Sequence, residues 1–226
     1  YLIPKIFYFK NIFFQSMPIT VSICGYALAA AIIFTYVGQS GEYAVAGYGA
    51  GTRIEQVVLL PILGINTAII SIISQNYGAK NFNRIKETYF TAIKYAFIIM
   101  VISGIIVFLS ASVITSIFSS DPEVIEYGKR YLKISAFVLP AYPVFFLSNG
   151  FFMALKKSEN AMISNFFRNV LNPIVVFYIA KYISASFDTF FWIWVGINWF
   201  FSILYFLIVI YYFKNKLDKS GAVIHP

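Results

Sequence analysis

Residues 43–77 read YAVAGYGAGTRIEQVVLLPILGINTAIISIISQNY, a run of 35 residues in which only Arg53 and Glu55 carry charge. A helix needs about 20 predominantly apolar residues to cross a hydrocarbon layer, so this run predicts a membrane span. Further runs of spanning length flank it at about 16–38, 88–118, 125–155, 161–182 and 190–213. Short polar breaks separate them: Gly38-Gln39-Ser40-Gly41-Glu42, Gly78-Ala79-Lys80-Asn81, Ser119-Ser120-Asp121-Pro122, Lys156-Lys157-Ser158 and a Ser-Ala-Ser-Phe-Asp turn at 184–188. Gly78 and Asn81 are expected to end the second span. Asp121 is placed to cap the fourth, with Pro122 at its first position and Glu123 near its positive end. The fold class that follows is all-α: a polytopic membrane protein, residues 1–226 forming a single bundle of six transmembrane helices.

Composition agrees. Of 226 residues 60% are apolar, 20% aromatic and 12% charged, against about 25% charged in a soluble domain. The balance of 17 Lys and Arg to 9 Asp and Glu does not point to a nucleic-acid partner, because the positives fall between apolar runs. Lys5, Lys10, Lys80, Arg84, Lys86, Lys156, Lys157, Lys214, Lys216 and Lys219 collect on one side, and only Lys129, Arg130 and Lys181 on the other. That bias places both termini in the cytoplasm. Tyr211, Tyr212 and Phe213 at one end of the last span, and Trp192 and Trp194 at the other, fit interfacial belts. No cleavable signal peptide is visible. Residue 1 is Tyr, so the sequence is expected to begin within a longer chain or after processing.

Catalytic chemistry has little to work with. The one histidine is His225 and the one cysteine, Cys24, lies in an apolar run, which leaves no metal site built on His and Cys, no His-based triad and no intrachain disulfide. An enzyme is not expected, and no cofactor. Most acids, Asp188 among them, read as solvated surface. Glu55 is the exception: with Arg53 and Gln56 it lies roughly ten residues, about 15 Å, into its span. A charge at that depth must face a partner or a wet cavity. Arg53 and Glu55 differ by about 200° around a helix, so they cannot pair; Glu55 is either functional or glue between helices. Asn66 is close to three turns beyond Glu55 and continues a polar stripe with Gln56.

In the fifth span Asn165, Arg168, Asn169 and Asn172 share one face by their spacing of three and four. That face either lines a water-filled cleft or bonds to neighbouring helices. Prolines interrupt four spans, at Pro18, Pro61, Pro140 with Pro143, and Pro173, where they permit bending. The small-residue stretch Ala46 to Gly51 permits close helix approach.

Taken in order, several motifs resemble the C-terminal half of a multidrug and toxic compound extrusion (MATE) transporter. They are Ser16-Met17-Pro18; Ala46-Gly47-Tyr48-Gly49 with Arg53; Pro61-Ile62-Leu63-Gly64 with Ala68; Gln75-Asn76-Tyr77-Gly78-Ala79; Asp121-Pro122-Glu123-Val124; Asn149-Gly150 with Ala154; and Arg168 before Asn172-Pro173. The match covers roughly residues 14 to 213, and 61–79 is its most specific part. The resemblance implies one six-helix lobe of a two-lobed antiporter that exports amphipathic organic cations in exchange for Na⁺ or H⁺, in a bacterial-type inner membrane. The other wall would come from a missing N-terminal lobe or a second copy of the chain. Some family members carry cation-coordinating acids in the first and fourth spans of this lobe, yet residues 11–41 and 128–157 contain none. The family's glycine-rich end of the fourth span is replaced by Ala154-Leu155-Lys156-Lys157. Two other readings share the spans: a lipid-linked oligosaccharide flippase of the same superfamily, and a non-transporting membrane scaffold subunit.

Overall fold

The computed structural model describes residues 24–217. Pro18, His225, both termini and the lysines at 5, 10 and 219 lie outside the described residues. The described chain is helical, with no strand. In order come α1 (Cys24–Ser40), closing in a tight turn; α2 (Glu42–Gly78); α3 (Phe82–Ser116); α4 (Pro122–Ser135); α5 (Tyr142–Ala154); α6 (Ser158–Phe166); α7 (Asn172–Tyr182); and α8 (Phe187–Tyr212). Helices α2, α3 and the α8 segment are each long and apolar enough to cross a membrane, and α4 with α5 makes a further candidate span bent by 40°. At about 1.5 Å per residue, the 37 residues of α2 exceed the thickness of the hydrocarbon layer.

Local chemistry sets the ends. Asp121 accepts from the backbone N–H of Glu123 (2.8 Å) and Val124 (3.4 Å), with Pro122 just inside the helix, as its cap signature predicts. Asn81 caps α3 and Ser186 caps α8 in the same way. The ends of α2, α5 and α7 share one closing motif in which a left-handed residue turns the chain and a backbone N–H reaches back five residues. The turning residues are Lys80 (φ 57°), Lys156 (φ 57°) and Ser184 (φ 51°); the long bonds are Asn81 N–H to Asn76 O (2.8 Å), Lys157 N–H to Phe152 O (2.9 Å) and Ala185 N–H to Ala180 O (2.8 Å). Gly78 therefore stays helical, and the sequence's breaker is a lysine two residues on.

The prolines differ in effect. Pro61 sits inside α2 without ending it. Pro140 lies in the turn Leu139–Ala141 that separates α4 from α5, and Pro143 falls in the first turn of α5. The break frees the Phe137 carbonyl, which accepts the Trp199 indole N–H from α8 at 2.9 Å, so this backbone acceptor finds a partner in an apolar medium. Pro173 opens α7 after a wide π turn, Phe167–Leu171.

Packing follows small residues. A Cβ at Gly47 would come within 2.7 Å of the Gly128 nitrogen and the Val124 oxygen, and one at Gly51 would enter the Tyr131 ring, so α2 and α4 touch at backbone distance. Two aromatic clusters fill the bundle. Toward the Asp121 end, Tyr36 stacks on Phe190 (4.2 Å between centroids) and Tyr48 meets Tyr131 and Phe191. Toward the Lys156 end, Tyr89, Phe151, Phe152, Tyr205 and Phe213 pack together. Phe213 is buried rather than part of an interfacial belt. Leu109 (78% exposed) and Val113 (68%) mark an outward apolar face on α3, the arrangement expected where lipid is the solvent.

Asp188, read from sequence as solvated, is partly exposed and takes three bonds from Arg130 at 2.7, 2.9 and 3.2 Å, which tie α8 to α4. Trp194 turns inward to the cleft described next, whereas Trp192 stays exposed.

Candidate functional site

Helices α1, α2, α4, α5, α6, α8 and the π turn line a cleft of about 480 Å³. Glu55 stands in its wall. The phenol of Tyr131, from α4, donates to one carboxylate oxygen of Glu55, and the phenol of Tyr142, from α5, donates to the other at 2.5 Å. Glu55 lies 13 residues into α2, where Gly51, one turn earlier, leaves room for the Tyr131 ring. Behind it, Ser135, Val138, Phe191 and Trp194 surround a void of about 10 Å³, roughly the least that admits one water.

Arg168 lines the same cleft. Its guanidinium carbon lies 4.3 Å from the centroid of Phe145, 4.8 Å from Tyr142 and 5.1 Å from Phe146, distances at which a cation is attracted to a ring. Tyr142 thus touches both charges, its hydroxyl on the acid and its ring beside the base. Among the described residues no ion pair joins Glu55 to Arg168. The wall combines a hydrogen-bonded acid, a cation held on aromatic rings, the amides of Gln56, Asn165 and Asn169, and apolar side chains of α1 such as Ile33.

The eight residues singled out by sequence divide. Glu55, Gln56, Asn165, Arg168 and Asn169 come together in the cleft. Arg53 is exposed and makes no ion pair among the described residues, as its angular offset from Glu55 requires. Asn66 packs against α5, where a Cβ at Gly150 would overlap its side-chain oxygen. Asn172 is fully buried and does not line the cleft. The π turn explains this: it inserts an extra residue per turn, so the three-and-four spacing that holds from 165 to 169 no longer carries 172 to the same face. Sequence reasoning missed Tyr131, Tyr142 and Phe145. One local sign was available, the break at Pro140, which aims Tyr142 from the start of a new helix toward α2.

Among the described residues no group of three or more His, Cys, Asp and Glu is placed to hold a metal. The comparisons with known proteins all lead to membrane transporters. The chain is 31% identical over 107 residues to the FAD transporter of Shewanella oneidensis, an overlap of 47% of this chain and 24% of that one. It is 24% identical over 154 residues to the multidrug export protein MepA of Staphylococcus haemolyticus, covering 68% and 34%. In fold it is similar to an inward-facing multidrug resistance MATE family transporter of the MOP superfamily, with a TM-score of 0.88 at 21% identity over 96% of this chain and 50% of that one. A MOP superfamily transporter from Pyrococcus furiosus gives 0.82 at 23% identity, covering 95% and 49%. The chain thus spans about half the length of the solved transporters it matches. The MatE family model matches residues 18–179, and the chain belongs to that family, whose members are membrane transporters and not enzymes.

Proposed function

We propose that this chain is one bundle of six spans in a secondary antiporter that exports amphipathic organic cations in exchange for Na⁺ or H⁺, its cleft forming one wall of the transport path. The observation that carries the reading is Glu55: an acid deep in a membrane helix, facing a cleft, with both oxygens held by tyrosine hydroxyls. Such a group can take up a proton or a cation and release it when the surroundings change. The phenols are donors that support the carboxylate while it is charged. A proton on Glu55 would weaken one of those bonds, which links occupancy of the acid to the position of α4 and α5 against α2.

In transporters built from repeats, substrate binds between two bundles that rock against each other. The opposing wall is then either an N-terminal lobe or a second copy of this chain. The drug-export relatives support efflux as the activity. Orientation follows from charge: the loops at Lys80 and Lys156 face the cytoplasm. They lie at one end of the bundle, where Ser74 of α2 reaches the Ala154 carbonyl and the Lys157 ammonium lies 4.9 Å from the Tyr212 ring of α8. A bacterial-type inner membrane is the compartment that this charge bias fits.

Reconstitution of residues 1–226 into liposomes under an imposed Na⁺ or H⁺ gradient tests the reading. A fluorescent organic cation should not move when the chain is monomeric, and should move once an opposing bundle or a second copy is present. Gradient-driven movement by a chain shown to be monomeric would overturn it.

A further inference from the structure

A second hollow, a groove of about 220 Å³, runs between α6 and α8. Ile163 and Phe167 form one side, Leu204 and Ile208 the other, and Phe145 of α5 the floor. Asn165, Arg168 and Asn169 of the cleft lie on another face of the same stretch of helix, so the groove is a separate surface that shares only the Phe145 ring with the cleft. Ile163, Leu204 and Ile208 are each close to half exposed. The polar groups between them are engaged: the Ser164 hydroxyl bonds to Tyr205, and the Tyr205 hydroxyl donates to Asn149 at 3.4 Å. What remains is an apolar slot. Between Phe201 and Ile208 it extends about 10 Å along α8, roughly two-thirds of one leaflet of the hydrocarbon layer.

The two ends of the slot differ. At one end stand the rings of Phe167 and Phe201, 6.3 Å apart between centroids. At the other, Asn160 follows Lys157 by three residues, and the Lys157 ammonium crosses to α8, 4.9 Å from the ring of Tyr212, one turn beyond Ile208. Lys156 precedes Lys157 and Lys214 follows Tyr212 by two residues; both are exposed. Glu159, in the first turn of α6, is about 100° round the helix from Asn160 and does not line the groove. An apolar slot that opens beneath lysines at the membrane surface matches a lipid with a negative headgroup.

We propose that this groove binds an anionic phospholipid from the leaflet on the Lys156 side, its acyl chain lying between α6 and α8 and its phosphate held by Lys157 with Lys156 and Lys214. The site stands apart from the transport reading, since the lipid binds whether or not the cleft carries a substrate.

Native mass spectrometry of the full chain in detergent, with equimolar palmitoyl-oleoyl phosphatidylglycerol and phosphatidylcholine, tests the headgroup. The two lipids share their acyl chains and differ in net charge. Phosphatidylglycerol should be retained at least about tenfold better, and Lys157→Gln and Lys214→Gln should each cut that preference about fivefold, the scale of one lysine near an anionic surface. Lys86→Gln, exposed at the start of α3, should leave it unchanged. A phosphatidylglycerol with a diazirine on its acyl chain tests the slot: in nanodiscs it should label Ile163, Leu204 or Ile208, and Leu204→Trp, which fills the slot, should remove the label. Equal retention of the two lipids by the unaltered chain, or labelling confined to the outward face of α3, overturns the inference, and neither arm needs a variant to fold. Displacement of the label by dihexanoyl phosphatidylglycerol as readily as by the long-chain lipid would mean that the headgroup binds without the slot, which also overturns it. Failure of the proposed function is read separately, by uptake of the organic cation.

Discussion

The hydroxyl of Tyr142 donates to one carboxylate oxygen of Glu55 at 2.5 Å while its ring lies 4.8 Å from the guanidinium carbon of Arg168. One side chain thus joins the two charges of the cleft, and it is the first after the turn that breaks the α4–α5 span.

Removing either phenol should leave a carboxylate oxygen without its donor. Tyr131→Phe and Tyr142→Phe are each expected to lower stability by about 1–3 kcal/mol, the cost of an unsatisfied buried polar partner. The double variant should depart from additivity, because both act on one carboxylate. Thermal unfolding in detergent, run as a double-mutant cycle, checks this; additive losses would mean that the phenols serve packing alone.

The α2–α4 crossing gives a contrast within a single helix. Gly47→Ala should destabilise by about 1–3 kcal/mol, since its Cβ would collide with the backbone of Val124 and Gly128. Gly49→Ala, with nothing within 4 Å, should be neutral or stabilise by up to about 1 kcal/mol through helix propensity. Similar responses at the two positions would contradict the packing described.

Lys156 turns left-handed at the end of α5, a conformation that costs a residue with a Cβ about 1–2 kcal/mol. Lys156→Gly is expected to raise the unfolding temperature, whereas Lys129→Gly, inside α4, should lower it by about 1 kcal/mol in stability. Loss of stability in the Lys156 variant would show that its side chain outweighs the backbone relief.

Topology is testable by labelling from outside the cell, in a Cys24→Ser background because that thiol is exposed. A cysteine at Ser40 should react with an impermeant maleimide and one at Lys80 should not. The reverse pattern would invert the orientation.

Much of this was legible in the sequence because helix type depends on apolar length and on caps, both local properties. Asp121-Pro122-Glu123 announced its own helix start, and Ala46 to Gly51 its close crossing. The cleft was half legible. Glu55 and Arg168 stood out because charge is costly at membrane depth, and Asn165 and Asn169 followed from helical spacing. Asn172 was misplaced by the π turn, which no local residue pattern announced. Tyr131 and Tyr142 could not be told from the other aromatics, since their roles depend on how α4 and α5 bend around Pro140. The pairing of Asp188 was not legible because its partner, Arg130, is 58 residues away in sequence.

The most direct measurement is gradient-driven uptake of a fluorescent organic cation by proteoliposomes containing the assembled transporter, comparing Glu55→Gln with Glu87→Gln. Glu87 is an exposed surface acid paired with Arg84, so its variant should transport normally. Glu55→Gln should lose coupling by at least about tenfold, equivalent to ~1.4 kcal/mol, while still binding the dye. Equal coupling in both variants, at equal thermal stability, would contradict the central place given to Glu55.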